Sequence, residues 1–248
     1  MTNQDYKNAA LAALKGKWAP AVLATIVIIL LLVPYYIYYF TCVIDLETLS
    51  SRTFVNSPSW FWYAYLAALL YMMLVYNPFA SVGYANSFKQ LLLTGDDRLT
   101  ANSFKIAFNR WLRNVWGVIL YGLKIVLWTF VFIIPGFVKA FAYALTPYLL
   151  VDCPDLTPLQ CIKLSNKMMK GHKFDLFYLY LSFIGWGILG LLTLGIGFLW
   201  LAPYMSTATA AFYEDVKAQY RAGLAAQPTD QPTQPVEQPV VQPAETTE

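Results

Sequence analysis

Six long apolar runs, separated by short polar segments, restrict this chain more than any other feature. They are Trp18–Ile44, Trp60–Val82, Val115–Ile134, Phe137–Val151, Phe174–Leu192 and Ile196–Phe212. A helix crossing a bilayer needs roughly 20 apolar residues, somewhat fewer when packed in a bundle. The composition agrees: 58% hydrophobic, 12% charged and a mean hydropathy of +0.48 leave a 248-residue chain too little polar surface for a water-soluble globule. The expected fold class is all-α, a polytopic membrane protein of about six transmembrane helices.

Pro135-Gly136 and Thr193-Leu194-Gly195 are too brief to be anything but turns between antiparallel helices, so the six runs pair into three hairpins. All lysines and arginines except Arg52, Lys124 and Lys139 fall before the first run, in 83–114, in 152–173 or after the last run. Six crossings put those segments on one side, and the positive-inside rule makes that side cytoplasmic, with both termini there. The first run continues through Pro34 to Ile44 without a small-x-small cleavage site, which predicts an uncleaved first span.

Each hairpin is preceded by a segment that reads as a basic amphipathic interfacial helix. The clearest is 156–173, where Thr157 acts as N-cap, Pro158 takes the first helical position, Gln160 completes a capping box and Gly171 ends the helix. On a helical wheel Gln160, Lys163, Lys167 and Lys170 share one arc, and Cys161, Ile162, Leu164, Met168 and Met169 the opposite one. Aligning Thr2, Thr100 and Thr157 without gaps brings Leu14, Leu112 and Met169 into register, then Lys15, Arg113 and Lys170, then Gly16, Asn114 and Gly171. A possible three-fold internal repeat follows, with units of approximately 1–99, 100–155 and 156–221 in one helical membrane domain of 1–221. Residues 222–248 carry five Gln-Pro pairs and no basic residue, the composition of a disordered cytoplasmic tail.

Few residues offer chemistry. Gly185-x-Gly187-x-x-Gly190 lies inside an apolar run without the strand a dinucleotide site requires, and reads as helix packing. His172 is the sole histidine, and Cys42, Cys153 and Cys161 show no paired spacing, so three free thiols, no metal site, no cofactor and no enzymatic activity are expected. The basic residues sit beside apolar runs, not on a polar domain, which excludes nucleic acid as a partner. Asp152 and Asp155 flank Cys153-Pro154 and read as turn and helix-start residues.

Lys124 is the exception. Counted from Val115 it lies near mid-bilayer, where an unpaired ammonium costs several kcal/mol, so it is the candidate intramembrane polar site. Candidate contacts to lipid or a partner are Lys15, Lys17, Lys105, Arg110, Arg113, Lys163, Lys167, Lys170, His172 and Lys173.

The run from Ile134 to Asp215, together with the N-terminal ALKGKW, resembles the bacterial integral membrane family catalogued as domain of unknown function 975. The resemblance is weaker over 44–98 and does not extend to the Gln-Pro tail. It implies a bacterial plasma-membrane location and carries over no catalytic or binding residue. The residues together predict a non-enzymatic accessory or organising component. It would bind membrane lipids, or a membrane or cytoplasmic protein partner, through its basic interfacial helices. A transporter or transporter subunit with a pathway near Lys124 is the alternative.

Overall fold

The computed structural model describes residues 1–38, 44–45, 50–51 and 59–225, with side chains for 1–37 and 63–225. Apart from a two-residue antiparallel ladder, β1 (Ile44–Asp45) against β2 (Ser50–Ser51), its regular structure is helical. α1 (Asn3–Leu14) opens with a capping box in which Thr2 and Asp5 exchange side-chain and backbone bonds. Gly16, at φ +77°, turns the chain into α2 (Trp18–Tyr38). The expected thiol Cys42 lies outside the described residues, while Cys153 and Cys161 are free.

The second run continues as helix well past its apolar part. α3 (Ser59–Tyr71) passes through two π-helical turns, Met72–Tyr76 and Pro78–Gly83, into α4 (Tyr84–Thr94). Pro78 explains the wider register, because it has no N–H for the Leu74 carbonyl. That carbonyl accepts from Trp111 Nε1 at 2.7 Å, and Asn77 Nδ2 donates to the Met72 carbonyl at 2.7 Å. Residues 83–94, beyond the apolar run, are helical because their polar side chains have partners. Asn86 Nδ2 reaches the carbonyls of Val82 and Pro147, both at 2.9 Å, and Ser87 Oγ donates to Tyr84 O at 2.8 Å.

α5 (Leu99–Phe108) leads into α6 (Trp111–Val131), which reverses at Phe132 and returns as α7 (Ile133–Tyr143) and α8 (Thr146–Asp152). The reversal thus precedes Pro135-Gly136, which lie in the first turn of α7. Proline is tolerated there because the first helical N–H groups have no intrahelical acceptor. Gly136 is required by proximity, since a Cβ would come within 2.2 Å of Thr129 Oγ1.

α9 (Pro158–Met168) has the expected capping box, with Thr157 N–H donating to Gln160 Oε1 at 2.7 Å and Gly171 at φ +88° beyond its end. α10 (Lys173–Leu181) and α11 (Ile184–Leu192) form one stretch interrupted at Ser182-Phe183, and Leu194 and Gly195, at φ +53° and +90°, turn it into α12 (Phe198–Ala225). Gly197 and Gly190 meet at this turn, where a Cβ on Gly197 would lie 2.7 Å from Gly190 Cα.

Among the described residues, five stretches are long and apolar enough to cross a membrane: Trp18–Ile37, Tyr63–Thr94, Trp111–Val131, Ile133–Asp152 and Lys173–Leu192. The sixth expected span falls within α12, 28 residues long and less apolar. Its middle is buried protein: Thr207 to Phe212 are covered, and the helix packs on α1, α2 and α4. Small residues permit that approach. α12 continues through Ala225, so 222–225 are helix, and the rest of the Gln-Pro segment lies outside the described residues.

The amphipathic helices differ from expectation in what covers them. The apolar faces of α1 (Tyr6, Ala10, Leu14) and α9 (Cys161, Ile162, Met168) are buried in protein. On α5, Leu99, Ser103 and Ala107 face inward while Phe104 and Phe108 remain exposed.

Candidate functional site

The polar ends of α4 and α8, the length of α5 and the start of α6 enclose a cavity of about 630 Å³. Three candidate spans end or begin at its wall, those of Tyr63–Thr94, Trp111–Val131 and Ile133–Asp152. Its lining includes Lys105, Arg110 and Arg113, with Asn102, Asn109 and Asn114 between them and one carboxylate, Asp96.

The α5–α6 junction sets this geometry. Asn109 is extended, and Arg110 turns the chain in the left-handed region at φ +55°, ψ +43°. α5 ends with carbonyls that have no helical partner, and Asn114 Nδ2 lies within bonding distance of three of them, Ile106 at 3.1 Å, Ala107 at 2.9 Å and Asn109 at 3.0 Å. Arg113 ties α6 to the segment after α8: its guanidinium donates to the carbonyls of Leu150, Cys153 (2.8 Å) and Leu156 (2.7 Å). Arg110 Nη1 donates to Pro154 O at 3.0 Å.

None of these arginine contacts is a carboxylate, so both guanidinium charges remain unneutralised. Lys105 is exposed and has no hydrogen-bond or ion-pair partner among the described residues. Asp96 is committed elsewhere. Its carboxylate accepts from Asn102 Nδ2 at 2.9 Å and from the Arg98 N–H at 3.0 Å, and these bonds hold it below the usual carboxylate range. Three cations against one such carboxylate leave the cavity with an excess of positive charge. Burial pushes the nearby Cys161 thiol up, opposed by Arg113 at 3.6 Å.

The middle helix starts differently from the aligned threonines: Thr100 lies inside α5, whose N-cap is Arg98 without a side-chain cap bond, and Asp96, two residues earlier, accepts the Arg98 N–H. The spacing from Asp96 to Arg110 then equals those from Thr2 to Gly16 and from Thr157 to Gly171, fourteen residues in each. The chain turns left-handed at all three places.

The other sequence candidates are dispersed. Lys167, Lys170 and His172 line a shallower hollow of about 320 Å³ against Gln219 and Tyr220 of α12, and His172 Nδ1 lies 3.2 Å from Asp175 Oδ2. Lys163 is exposed and Lys173 begins α10. Lys15 is exposed, while Lys17 donates to the Gly95 carbonyl that ends α4. Lys124 is half-buried, at helical spacing from Gly117 and Tyr121 on the side of α6 that packs on α7 and α8. No acidic group pairs with it among the described residues.

Sequence reasoning missed a cluster beside the cavity. Asp152, read as a turn residue, is the last residue of α8, and its carboxylate receives Lys89 of α4, Lys217 of α12 and the Tyr213 hydroxyl at 2.7 Å. Tyr213 stacks on Tyr148 with ring centroids 4.7 Å apart. The one available signal was a charge of each sign at the ends of adjacent apolar runs. Among the described residues, no three His, Cys, Asp or Glu side chains gather as metal ligands.

The sequence profile described as "Protein of unknown function (DUF975)" matches residues 63–220, more than half of the chain. No curated protein and no solved structure matches it.

Proposed function

The chain belongs to the DUF975 family, and from its own geometry we propose that it is a non-enzymatic organising component of the bacterial cytoplasmic membrane that holds an anionic lipid headgroup in the Arg110 cavity. Arg110 carries this reading. A left-handed turn costs a non-glycine residue roughly 1–2 kcal/mol, and at the two comparable turns the chain uses Gly16 and Gly171. An arginine kept there at that cost puts a guanidinium beside Lys105 and Arg113, as strained residues at binding sites commonly do. The ends of three candidate spans at its wall support a cavity at headgroup height. Each Lys or Arg close to an anionic leaflet contributes roughly 1 kcal/mol.

The cytoplasmic side follows from the positive-inside argument. The recurring fourteen-residue approach to a left-handed turn supports a three-unit reading, but the third unit does not form a full crossing in it, because Thr193 and Gly197 at its turn line one hollow with Leu11 and Trp18 at the start of the first run.

The test is lipid retention by the detergent-purified protein, measured by native mass spectrometry with phosphatidylglycerol or phosphatidylcholine of identical chains. Wild type should retain the anionic lipid preferentially, and a Lys105→Ala, Arg110→Ala double variant should lose the preference. Equal retention of both lipids by wild type sinks the proposal.

Lys124 favours transport as a second reading. It is half-buried and lies seven residues, about 10 Å of helical rise, from the Val131 end of α6. Lys124→Met abolishing a cellular solute flux with headgroup preference intact would favour that reading.

A further inference from the structure

A second hollow, of about 410 Å³, opens between α1–α2 on one side and α11–α12 on the other. Its wall is nearly all apolar: Leu11, Trp18, Trp186, Leu189, Trp200 and Tyr204. The polar atom of Thr193, at its base, is already committed to the turn, with the hydroxyl donating to Gly190 O at 2.8 Å and accepting from the Gly197 N–H at 2.9 Å. Trp18 and Trp200 also line a neighbouring hollow of about 310 Å³ that follows α2 past Val22 to Ile26. Together they make an elongated aromatic groove whose larger part falls within the about 300–1,000 Å³ usual for ligand clefts.

We propose that this groove binds one acyl chain of a phospholipid. The surroundings decide the occupant. Trp18 is the first residue of the candidate span Trp18–Ile37, and Leu189 and Gly190 lie in the last turn of the candidate span Lys173–Leu192, so the groove opens at span ends, where acyl chains meet their headgroups. Water needs two to four polar partners, which this wall does not offer, so an apolar chain suits it better. Shape favours a flexible chain over a compact ring system, because the two hollows continue one another past the Trp18–Trp200 wall. Charge favours a phosphate-bearing lipid: exposed Lys15 stands three residues before Trp18 and has no partner among the described residues. The groove shares no residue with the Arg110 cavity, so either proposal can fail alone.

The test uses delipidated full-length protein in detergent, given back one phosphatidylcholine, with retention counted by native mass spectrometry. Wild type should keep one molecule. Leu11→Trp and Leu189→Trp fill the groove from opposite walls and start from side chains 44% and 51% exposed, so the core is not overpacked. Each should cut retention at least tenfold, about 1.4 kcal/mol. Leu127→Trp, on the exposed face of α6, should leave it unchanged. Thermal unfolding identifies any filler that fails to fold, and the other then carries the comparison. Equal retention by wild type and fillers overturns the proposal, as does equal loss in Leu127→Trp, which would mark the lipid as part of the general annulus. Loss in the Lys105→Ala, Arg110→Ala variant would move the retained lipid to the basic cavity and overturn the groove as its site.

Discussion

The cluster at Asp152 and the cavity at Arg110 stand side by side at the ends of α4 and α8 and use the same residue types, yet they treat charge in opposite ways. In the cluster two ammonium groups and a tyrosine hydroxyl converge on one carboxylate, and the side chains of Lys89, Lys217 and Asp152 are only 7, 19 and 15% exposed. In the cavity three cations face open space, and the one carboxylate is occupied by Asn102 and the Arg98 N–H. Removing a partner from the first exposes the desolvation cost of what remains. Removing a cation from the second costs the fold little, so its charge is available to a ligand. Arg113 belongs to both regimes, since it closes the loop after α8 through carbonyl oxygens while its charge stays unneutralised.

The largest expected effect is that of Asp152→Asn. It leaves the shielded Lys89 ammonium without its anion and Lys217 with only Glu214 at 3.5 Å, and should lower stability by about 3–5 kcal/mol, read as a fall in unfolding temperature in detergent. A change no larger than that of a surface variant would erase the contrast. Arg113→Lys should cost about 1–3 kcal/mol, because one ammonium cannot span the carbonyls of Leu150, Cys153 and Leu156. Arg110→Gly sharpens the comparison, as relief of the left-handed turn should raise stability by about 1 kcal/mol while the preference for phosphatidylglycerol disappears. Lys105→Ala should move stability by less than about 0.5 kcal/mol and still weaken that preference.

The smallest effect is one of pH. Burial pulls Asp215 upward, but bonds from Tyr6, Gln219 and the terminal ammonium at 3.2 Å outweigh it and leave its pKa below the ordinary 3.8. A depressed folded-state pKa contributes stability that is fully present above 3.8 and lost as pH falls through the folded value. The docking of α1 on α12 should therefore loosen only below about pH 4, seen as faster amide exchange in α1. Loosening that sets in near neutral pH would assign it to another group.

Residues whose consequences are local were legible. Thr157, Gln160 and Gly171 fix where α9 begins and ends, because capping acts within one helical turn. Lys105, Arg110 and Arg113 were singled out by position, but that they share a cavity depends on α4 and α8 closing over them. The reversal at Phe132 and the role of Asp152 were misread for one reason. In each case the polar or helix-breaking residue found a partner or a tolerated position that adjacent residues do not reveal. Asp152 is the clearer instance, since Lys89 and Lys217 lie more than sixty residues away on either side.

The sequence by itself determined that long stretches of this chain are helices apolar enough to span a membrane, and that positive charge gathers beside them. Both depend on composition and spacing along the backbone. Only the tertiary structure decided which charges are neutralised and which stand open, which apolar faces pack on protein, and where tryptophans from distant helices leave a groove. Those outcomes depend on side chains brought together across the chain by packing.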